Sequence, residues 1–478
     1  MFPLGETRCA AELVLPIATF VLVLSTVRAV ALLYPESRWT PYATAAFLCV
    51  FPAALSQSRI YLFEWPFAAS VAATCWAMLA TDRFTNFPRS LVFGIAAGIT
   101  ALVRAGGPAL LTGPCLVYAA VALREAPRGR KALNLGIAAA AGVAVAATWY
   151  LPNLTTFLEY IHQVTYGDQA SLFAGGSSAF SWDNALYTFQ WYWVDGAGIP
   201  AAALMLAAYA TACAMERRWI LSARMGALFV AFAIVFVAVI AVAQRAGGVL
   251  LLAIMGIQSL AVVRAVAIVP RPAARGGFAL AAALLAIHHL YAMTFGFAVG
   301  RDRSEGTGPF PTFPLWNHRN LYVGVAGPAR QEKALGEWMS QIVDRIEALP
   351  VAKETIDRPV QVCFNADNPI FQLHTLRIEA TLRHHNWHGI QLFWLPLEAA
   401  RKRQAELQER VLLMDVLVNR TTKPPSEYDK VVAIITGPLV EGASRRFTQV
   451  GEPVRFPNGD EYTIYQRIPD SSSPSKPR

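Results

Sequence analysis

The sequence predicts an all-α polytopic membrane bundle of about ten transmembrane helices followed by a small soluble α/β domain. Three observations carry that expectation. Hydrophobic residues make up 55% of the chain against 15% charged, with a mean hydropathy of +0.38, more apolar than a soluble domain allows. Apolar runs of membrane-crossing length recur as far as residue 300, after which Asp, Glu, Asn, His and Pro become common. At 478 residues a single soluble core would already have divided, so the apolar excess belongs to lipid-spanning segments. This composition excludes the disordered, fibrous and small disulfide-rich classes.

The candidate spans are 11–34, 41–57, 66–81, 89–104, 108–123, 132–151, 197–215, 219–243, 247–270 and 276–298. Some, such as 66–81 and 108–123, are short. Met1 to Arg8 lacks the basic start and small-residue cleavage site of a secretory signal, so the first apolar run reads as a retained span. The Ala/Gly-rich stretch 136–147 reads as a closely packed helix face.

Lys and Arg mark cytoplasmic loops, which fixes orientation. Alternate loops hold Arg38; Arg83 and Arg89; Arg124, Arg128, Arg130 and Lys131; Arg217, Arg218 and Arg224; and Arg271 and Arg275. The intervening loops hold almost none. The basic loops are therefore expected inside. Met1, the segment around Arg59 and Glu64, the turn at Arg104, the loop 152–196, the turn at Arg245 and everything after Gly300 are expected outside. The net charge of +9, from 41 Lys+Arg against 32 Asp+Glu, belongs to these loops and not to a nucleic-acid surface.

The chain divides into a multi-span domain over 1–300, an extracytoplasmic α/β domain over 301–470 and a disordered tail over 471–478. In the second domain, strands are expected at Leu321–Val325, Val360–Phe364, Ile390–Leu395, Lys430–Thr436 and Tyr462–Arg467. Helices are expected at 329–348, 368–384 and 397–418. The segment Cys363-Phe364-Asn365-Ala366-Asp367-Asn368-Pro369 reads as a functional turn or as a helix cap. The six cysteines have spacing that builds neither a disulfide nor a zinc framework. No Walker A sequence, Gly-x-Gly-x-x-Gly after a strand, His-Glu-x-x-His or Gly-x-Ser-x-Gly occurs. Asn153-Leu154-Thr155 and Asn419-Arg420-Thr421 fit the glycosylation acceptor pattern, a triplet common by chance.

Three lone arginines, Arg59, Arg104 and Arg245, fall on the side that otherwise avoids positive charge. Each one alone reads as a snorkelling anchor. As a set they suit a phosphate, because a guanidinium offers a planar fork of donors to phosphate oxygens. They share that rim with Glu64, which lies among aromatics that include Tyr61. A carboxylate at a membrane boundary pairs or works, and Arg59 is its near neighbour in sequence. The loop 152–196 carries Tyr160, His162, Tyr166, Trp182 and Asp183, rings that stack on sugars and carboxylates that accept from hydroxyls. Its stretch from Trp182 to Trp193 reads equally as an amphipathic interfacial helix. His288 and His289 read as a bundle pair, not as metal ligands.

Four features resemble the membrane-embedded GT-C glycosyltransferases, in the branch of dolichyl-phosphate-mannose protein mannosyltransferases and the aminoarabinose transferase. They are Ser58-Arg59 followed by Glu64 and Pro66; the Gly-rich span from Gly94 ending in Arg104-Ala105-Gly106-Gly107-Pro108; Thr148-Trp149-Tyr150 with Ser181-Trp182-Asp183-Asn184; and the order of spans before an outer soluble domain. The resemblance covers roughly residues 10 to 300. It implies inverting transfer of a hexose or pentose from a polyprenyl-phosphate donor to a glycan, lipid or protein acceptor at the outer face of a bacterial inner membrane, with no nucleic-acid partner. Arg59, Arg104 and Arg245 would then hold the donor phosphate among membrane lipid, with Tyr61, Tyr160, His162, Tyr166, Trp182 and Asp183 as substrate contacts. The resemblance names no certain cofactor and leaves a divalent cation open.

That family's general base is an acid in the first outer loop. Here the chain starts just before what resembles the family's second span, so the first span and its loop are expected to be missing. Either the reading frame is truncated, or Glu64 takes the base role in a diverged or inactive member. Two other classes remain: a transporter or flippase of lipid-linked substrates, against which the scarcity of midplane charge weighs, and a non-enzymatic membrane assembly protein.

Overall fold

The computed structural model describes residues 7–57, 64–104, 106–165, 180–241, 251–295, 340–351, 360–365, 390–393, 395, 404–421, 427–441, 445–455 and 461–468. The chain forms two compact units, Ala10–Ala329 and a second built on Arg330–Arg478.

In the first unit α1 is Thr7–Leu33, α2 Thr40–Cys49, α3 Pro52–Gln57, α4 Glu64–Ala80, α5 Phe87–Val103, α6 Gly107–Leu123 and α7 Arg128–Tyr150. Then come α8 Leu154–Thr165, α9 Trp182–Gln190, a π-helical turn Trp191–Gly196, α10 Ile199–Glu216, α11 Ala223–Ala241, a 3-10 turn Leu251–Ile254, α12 Met255–Ala267 and α13 Pro272–Phe295. Proline at the first turn starts α2, α5, α6 and α10, where its missing N–H is harmless. Asn86 caps α5 by accepting from the Arg89 N–H at 3.1 Å.

The helices fall where the apolar runs do, and the count of ten spans is not confirmed. Among the described residues five helical segments are long and apolar enough to cross a membrane: Leu13–Leu33, Arg128–Tyr150, Ile199–Glu216, Ala223–Ala241 and Pro272–Tyr291. The expected span 41–57 is two short helices, because Pro52 has no N–H to continue the ladder from α2. Among the described residues the span expected at 247–270 is a 3-10 turn at Leu251–Ile254 followed by the 13 residues of α12. The apolar runs of α5 and α6 are each 17 residues.

Small residues set the packing. A Cβ on Gly94 would lie 2.2 Å from the Ala138 carbonyl oxygen, and one on Gly98 2.7 Å from Val145 Cβ. Gly94 and Gly98 of α5 therefore press on the Ala138–Gly142 face of α7, the close backbone approach that drives helix association in lipid. The contacts run upward together, Gly94 to Ala138, Gly98 to Val145 and Ala101 to Tyr150, so α5 and α7 are parallel. Gly113 of α6 lies as tightly on Ala231 of α11. Phe51, Phe67, Leu110, Val235 and Met255 form the centre of the bundle, all fully buried.

The loop 152–196 contains α8 and α9. The predicted helix from Trp182 to Trp193 is α9 plus the π-helical turn, and its rings separate: Trp182 is 78% exposed, whereas Tyr192 is buried and donates to the Ile254 carbonyl at 3.1 Å. Beside it Gly198, at φ +86°, admits the buried His289 ring. His288 and His289 stand 6.3 Å apart, ring to ring.

The second unit is an α/β layer structure. Its strands are β1 Val360–Asn365, β2 Ile390–Phe393, β3 Val416–Arg420, β4 Phe447–Gln449, β5 Val454–Arg455 and β6 Glu461–Arg467. Their order is β2-β1-β3-β6-β4, with β5 on β6; β1 is parallel to β2 and β3, and β6 antiparallel to its neighbours. Val362, Phe364, Val416 and Val418 meet Ile342, Val343 and Ile346 of the helix at 340–347 on one face. Cys363 and Leu417 meet α14 (Gln404–Leu412) and α15 (Glu427–Val440) on the other. The strand expected at Lys430–Thr436 is instead inside α15, whose Val432, Ile435 and Leu439 recur at helical spacing and bury on the sheet. The helix expected at 397–418 ends at Leu412, and β3 follows as a strand whose Val416, Leu417, Val418 and Asn419 are all buried, so both its faces are covered. Leu321–Val325, the helix at 368–384 and residues 366–369 lie outside the described residues.

Candidate functional site

Glu64 is the first residue of α4, where a carboxylate faces the positive end of the helix dipole. Arg104 is the C-cap of α5, in extended backbone at φ −154° and ψ 133°, and its N–H still bonds the Thr100 carbonyl. The antiparallel hairpin of α4 and α5 sets the start of one beside the end of the other. Arg104 Nη1 accordingly donates to Glu64 Oε1 at 3.1 Å, with the Arg104 side chain 20% and the Glu64 side chain 10% exposed. The Arg104 guanidinium also lies 5.8 Å from the centroid of the Phe67 ring, one turn into α4.

Glu64 Oε2 is buried and takes no hydrogen bond among the described residues. A buried carboxylate oxygen with no donor is costly, because desolvation is not repaid. The site thus combines a cation, a half-satisfied anion and an aromatic wall.

The predicted set converges in part. Glu64 and Arg104 meet; Arg59, Tyr61, Tyr166 and Arg245 lie outside the described residues. Tyr160 falls in α8, although its side chain lies outside the described residues. His162 is exposed on the same helix, and Trp182 and Asp183 are exposed at the start of α9. Arg59, the partner that sequence proximity suggested for Glu64, lies outside the described residues, and the partner seen among the described residues is Arg104, forty positions away.

Residues that the sequence reading left out of the site surround the same end of the hairpin. Tyr150 Oη donates to the Ala101 carbonyl at 2.8 Å, three residues before Arg104. Its ring packs edge-on to Trp149 at 5.0 Å and Phe157 at 4.7 Å, and Trp149 is half exposed. An apolar cavity of about 370 Å³ is lined by Phe189, Trp193, Ile199, Ala202, Met205 and Leu206. The signal available in the sequence was the aromatic pair closing α7. Among the described residues no three His, Cys, Asp or Glu side chains gather as metal ligands would.

The opposite end of α4 and α5 is basic. Arg83 bonds Glu125, Lys131 Nζ lies 3.5 Å from the same carboxylate, and Asn134 donates to the Phe84 carbonyl at 2.7 Å. The hydrogen bond from Arg83 holds the Glu125 carboxyl below the usual carboxylate range. Two of the basic loops, the Arg83 turn and the 124–131 segment, therefore meet at the end remote from Glu64. In the second unit Asn419, half of a glycosylation triplet's requirement, donates its amide to Thr436 Oγ1 at 3.1 Å and is buried, so the folded chain does not present it.

No family model matches the chain, and no curated protein matches it. Among solved structures it is similar to the crystal structure of ArnT from Cupriavidus metallidurans bound to undecaprenyl phosphate, at 12% identity and a TM-score of 0.49, over 97% of this chain and 85% of that one.

Proposed function

We propose that this polytopic membrane protein transfers a sugar from a polyprenyl-phosphate donor to an acceptor hydroxyl at the non-cytoplasmic face, as a GT-C-type inverting glycosyltransferase. The Glu64–Arg104 pair carries the reading: a buried carboxylate with one oxygen held by a guanidinium and the other without a donor among the described residues. The motifs around Arg59, Arg104 and Trp149 that resemble the GT-C family support it.

In this scheme Arg104, with Arg59 and Arg245, binds the phosphodiester of the donor. Glu64 accepts the proton of the acceptor hydroxyl as that oxygen bonds to the anomeric carbon. The bond from the anomeric carbon to the phosphate oxygen breaks, its electron pair leaves with the polyprenyl phosphate, and the configuration inverts. Charge grows on the departing phosphate, which the guanidiniums would stabilise. His162, Trp182 and Asp183 lie on the loop that would border the sugar and acceptor. The face is the outer one of a bacterial inner membrane, because two of the basic loops meet at the other end of the bundle.

The test is a comparison of Glu64→Gln with the wild-type chain. The variant is expected to bind undecaprenyl phosphate as tightly as wild type and to transfer sugar at least a hundredfold more slowly, the scale of a lost general base. Equal transfer by both would remove Glu64 from the chemistry.

A further inference from the structure

A second cluster of arginines lies at the end of the bundle remote from Glu64. Tyr34, just past α1, is 2% exposed, and its hydroxyl takes no hydrogen bond among the described residues. Two guanidiniums face its ring: Arg264 of α12 at 4.3 Å from the centroid and Arg224, in the first turn of α11, at 5.7 Å. Arg224 donates to the Leu33 carbonyl at 2.7 Å and to both oxygens of Glu36 at 3.2 Å, so its charge is partly answered. Arg264 lies one turn before the end of α12, its Nε is buried, and that donor has no acceptor among the described residues. Val30 and Leu260 are buried beside Tyr34, with Leu33, Met225 and Leu228 around them.

A guanidinium set among apolar helix ends, with an unanswered donor, needs an acceptor that reaches membrane depth. Glu36 is already engaged by Arg224. A phosphodiester matches the fork geometry of arginine. Basic pockets between helices on the side of the Lys/Arg-rich loops are where acidic lipid head groups bind.

We infer that Arg264 and Arg224, arrayed on the Tyr34 ring, form a binding site for the phosphate of an anionic phospholipid in the leaflet next to the basic loops. The acyl chains run along Leu32, which is half exposed, and the neighbouring apolar faces of α1 and α11. The site is separate from the Glu64–Arg104 pair and does not depend on the transferase reading. A free phosphate ion offers the same oxygens, so the test separates the two sources.

The full chain in detergent is mixed with dioleoyl phosphatidylglycerol, dioleoyl phosphatidylcholine or inorganic phosphate, and retained ligand is read by native mass spectrometry. Phosphatidylglycerol is expected to be retained, phosphatidylcholine more weakly and inorganic phosphate not at all. Arg264→Gln is expected to weaken phosphatidylglycerol about tenfold, the scale of one lost charge-assisted hydrogen bond. Should that variant fail to fold, the half-exposed Arg224→Gln carries the same comparison. Retention by either folded variant equal to wild type, equal retention of both lipids, or binding of inorganic phosphate alone would overturn the lipid site.

Discussion

Arg104 Nη1 lies 3.1 Å from Glu64 Oε1 and joins the C-cap of one helical hairpin arm to the first residue of the other. Both side chains are largely buried, so the pair is an electrostatic lock on the hairpin as well as the candidate reaction centre. Removing one member of a buried pair leaves the other charge uncompensated, at a cost of roughly 3–5 kcal/mol.

Arg104→Ala is therefore expected to lower the thermal midpoint of the detergent-solubilised chain markedly, and Glu64→Gln much less, since a neutral amide still accepts from Arg104. The double variant Arg104→Met/Glu64→Leu is expected to recover most of the loss. Additive loss in the double variant would show that the two side chains do not act as a unit.

Gly94→Leu places side-chain atoms where the Ala138 carbonyl already lies 2.2 Å from a bare Cβ. Helices α5 and α7 must then separate, and overpacking of this kind costs about 1–3 kcal/mol or more. Gly136→Ala, on the same α7 where a Cβ meets nothing within 4 Å, is expected to be neutral or slightly stabilising. Melting curves of the two variants check the contrast.

How much of this was legible beforehand varies by residue. Glu64 and Arg104 were both marked, because each interrupts an apolar pattern at the same rim of the bundle. Which arginine meets Glu64 was not, since that depends on the rotation and tilt of α4 against α5 rather than on separation along the chain. The Ala/Gly-rich stretch 136–147 read as a closely packed helix face, and Gly94 and Gly98 of α5 are what pack on it. In the second unit β3 was hidden: five residues from Val416 carry no alternation when both faces are buried, so they read like the end of a helix. The opposite error occurred at 430–436, where β-branched residues suggested a strand although burial on the sheet selected a helix.

Cys363 sits fully buried in β1, and burial pushes its thiol up to about 12. An unfolded cysteine ionises near pH 8.5. Above that pH the unfolded chain loses a proton that the folded chain keeps, so this thiol's contribution to stability is complete below about pH 8.5 and declines toward about 12. At pH 8 maleimide is expected to leave Cys363 unmodified until denaturant is added, as peptide mass mapping would show. Rapid labelling of the native chain would contradict the buried β1.

The orientation is open to a direct check. Gly129→Cys lies in the basic loop end, where a Cβ meets nothing within 4 Å, and Thr155→Cys lies at the exposed start of α8. In intact cells a membrane-impermeant maleimide is expected to label residue 155 and to reach residue 129 only after permeabilisation. The reverse pattern would invert the topology and move the Glu64–Arg104 pair to the cytoplasmic side.

The central claim is that Arg104 grips a lipid phosphate beside Glu64, and a structure of the chain with bound undecaprenyl phosphate tests it most directly. The account expects the phosphorus within hydrogen-bonding reach of Arg104, with Arg59 and Arg245 on the same group and Glu64 facing the adjoining space. A phosphate bound elsewhere, with Arg104 and Glu64 engaged only with each other, would contradict it.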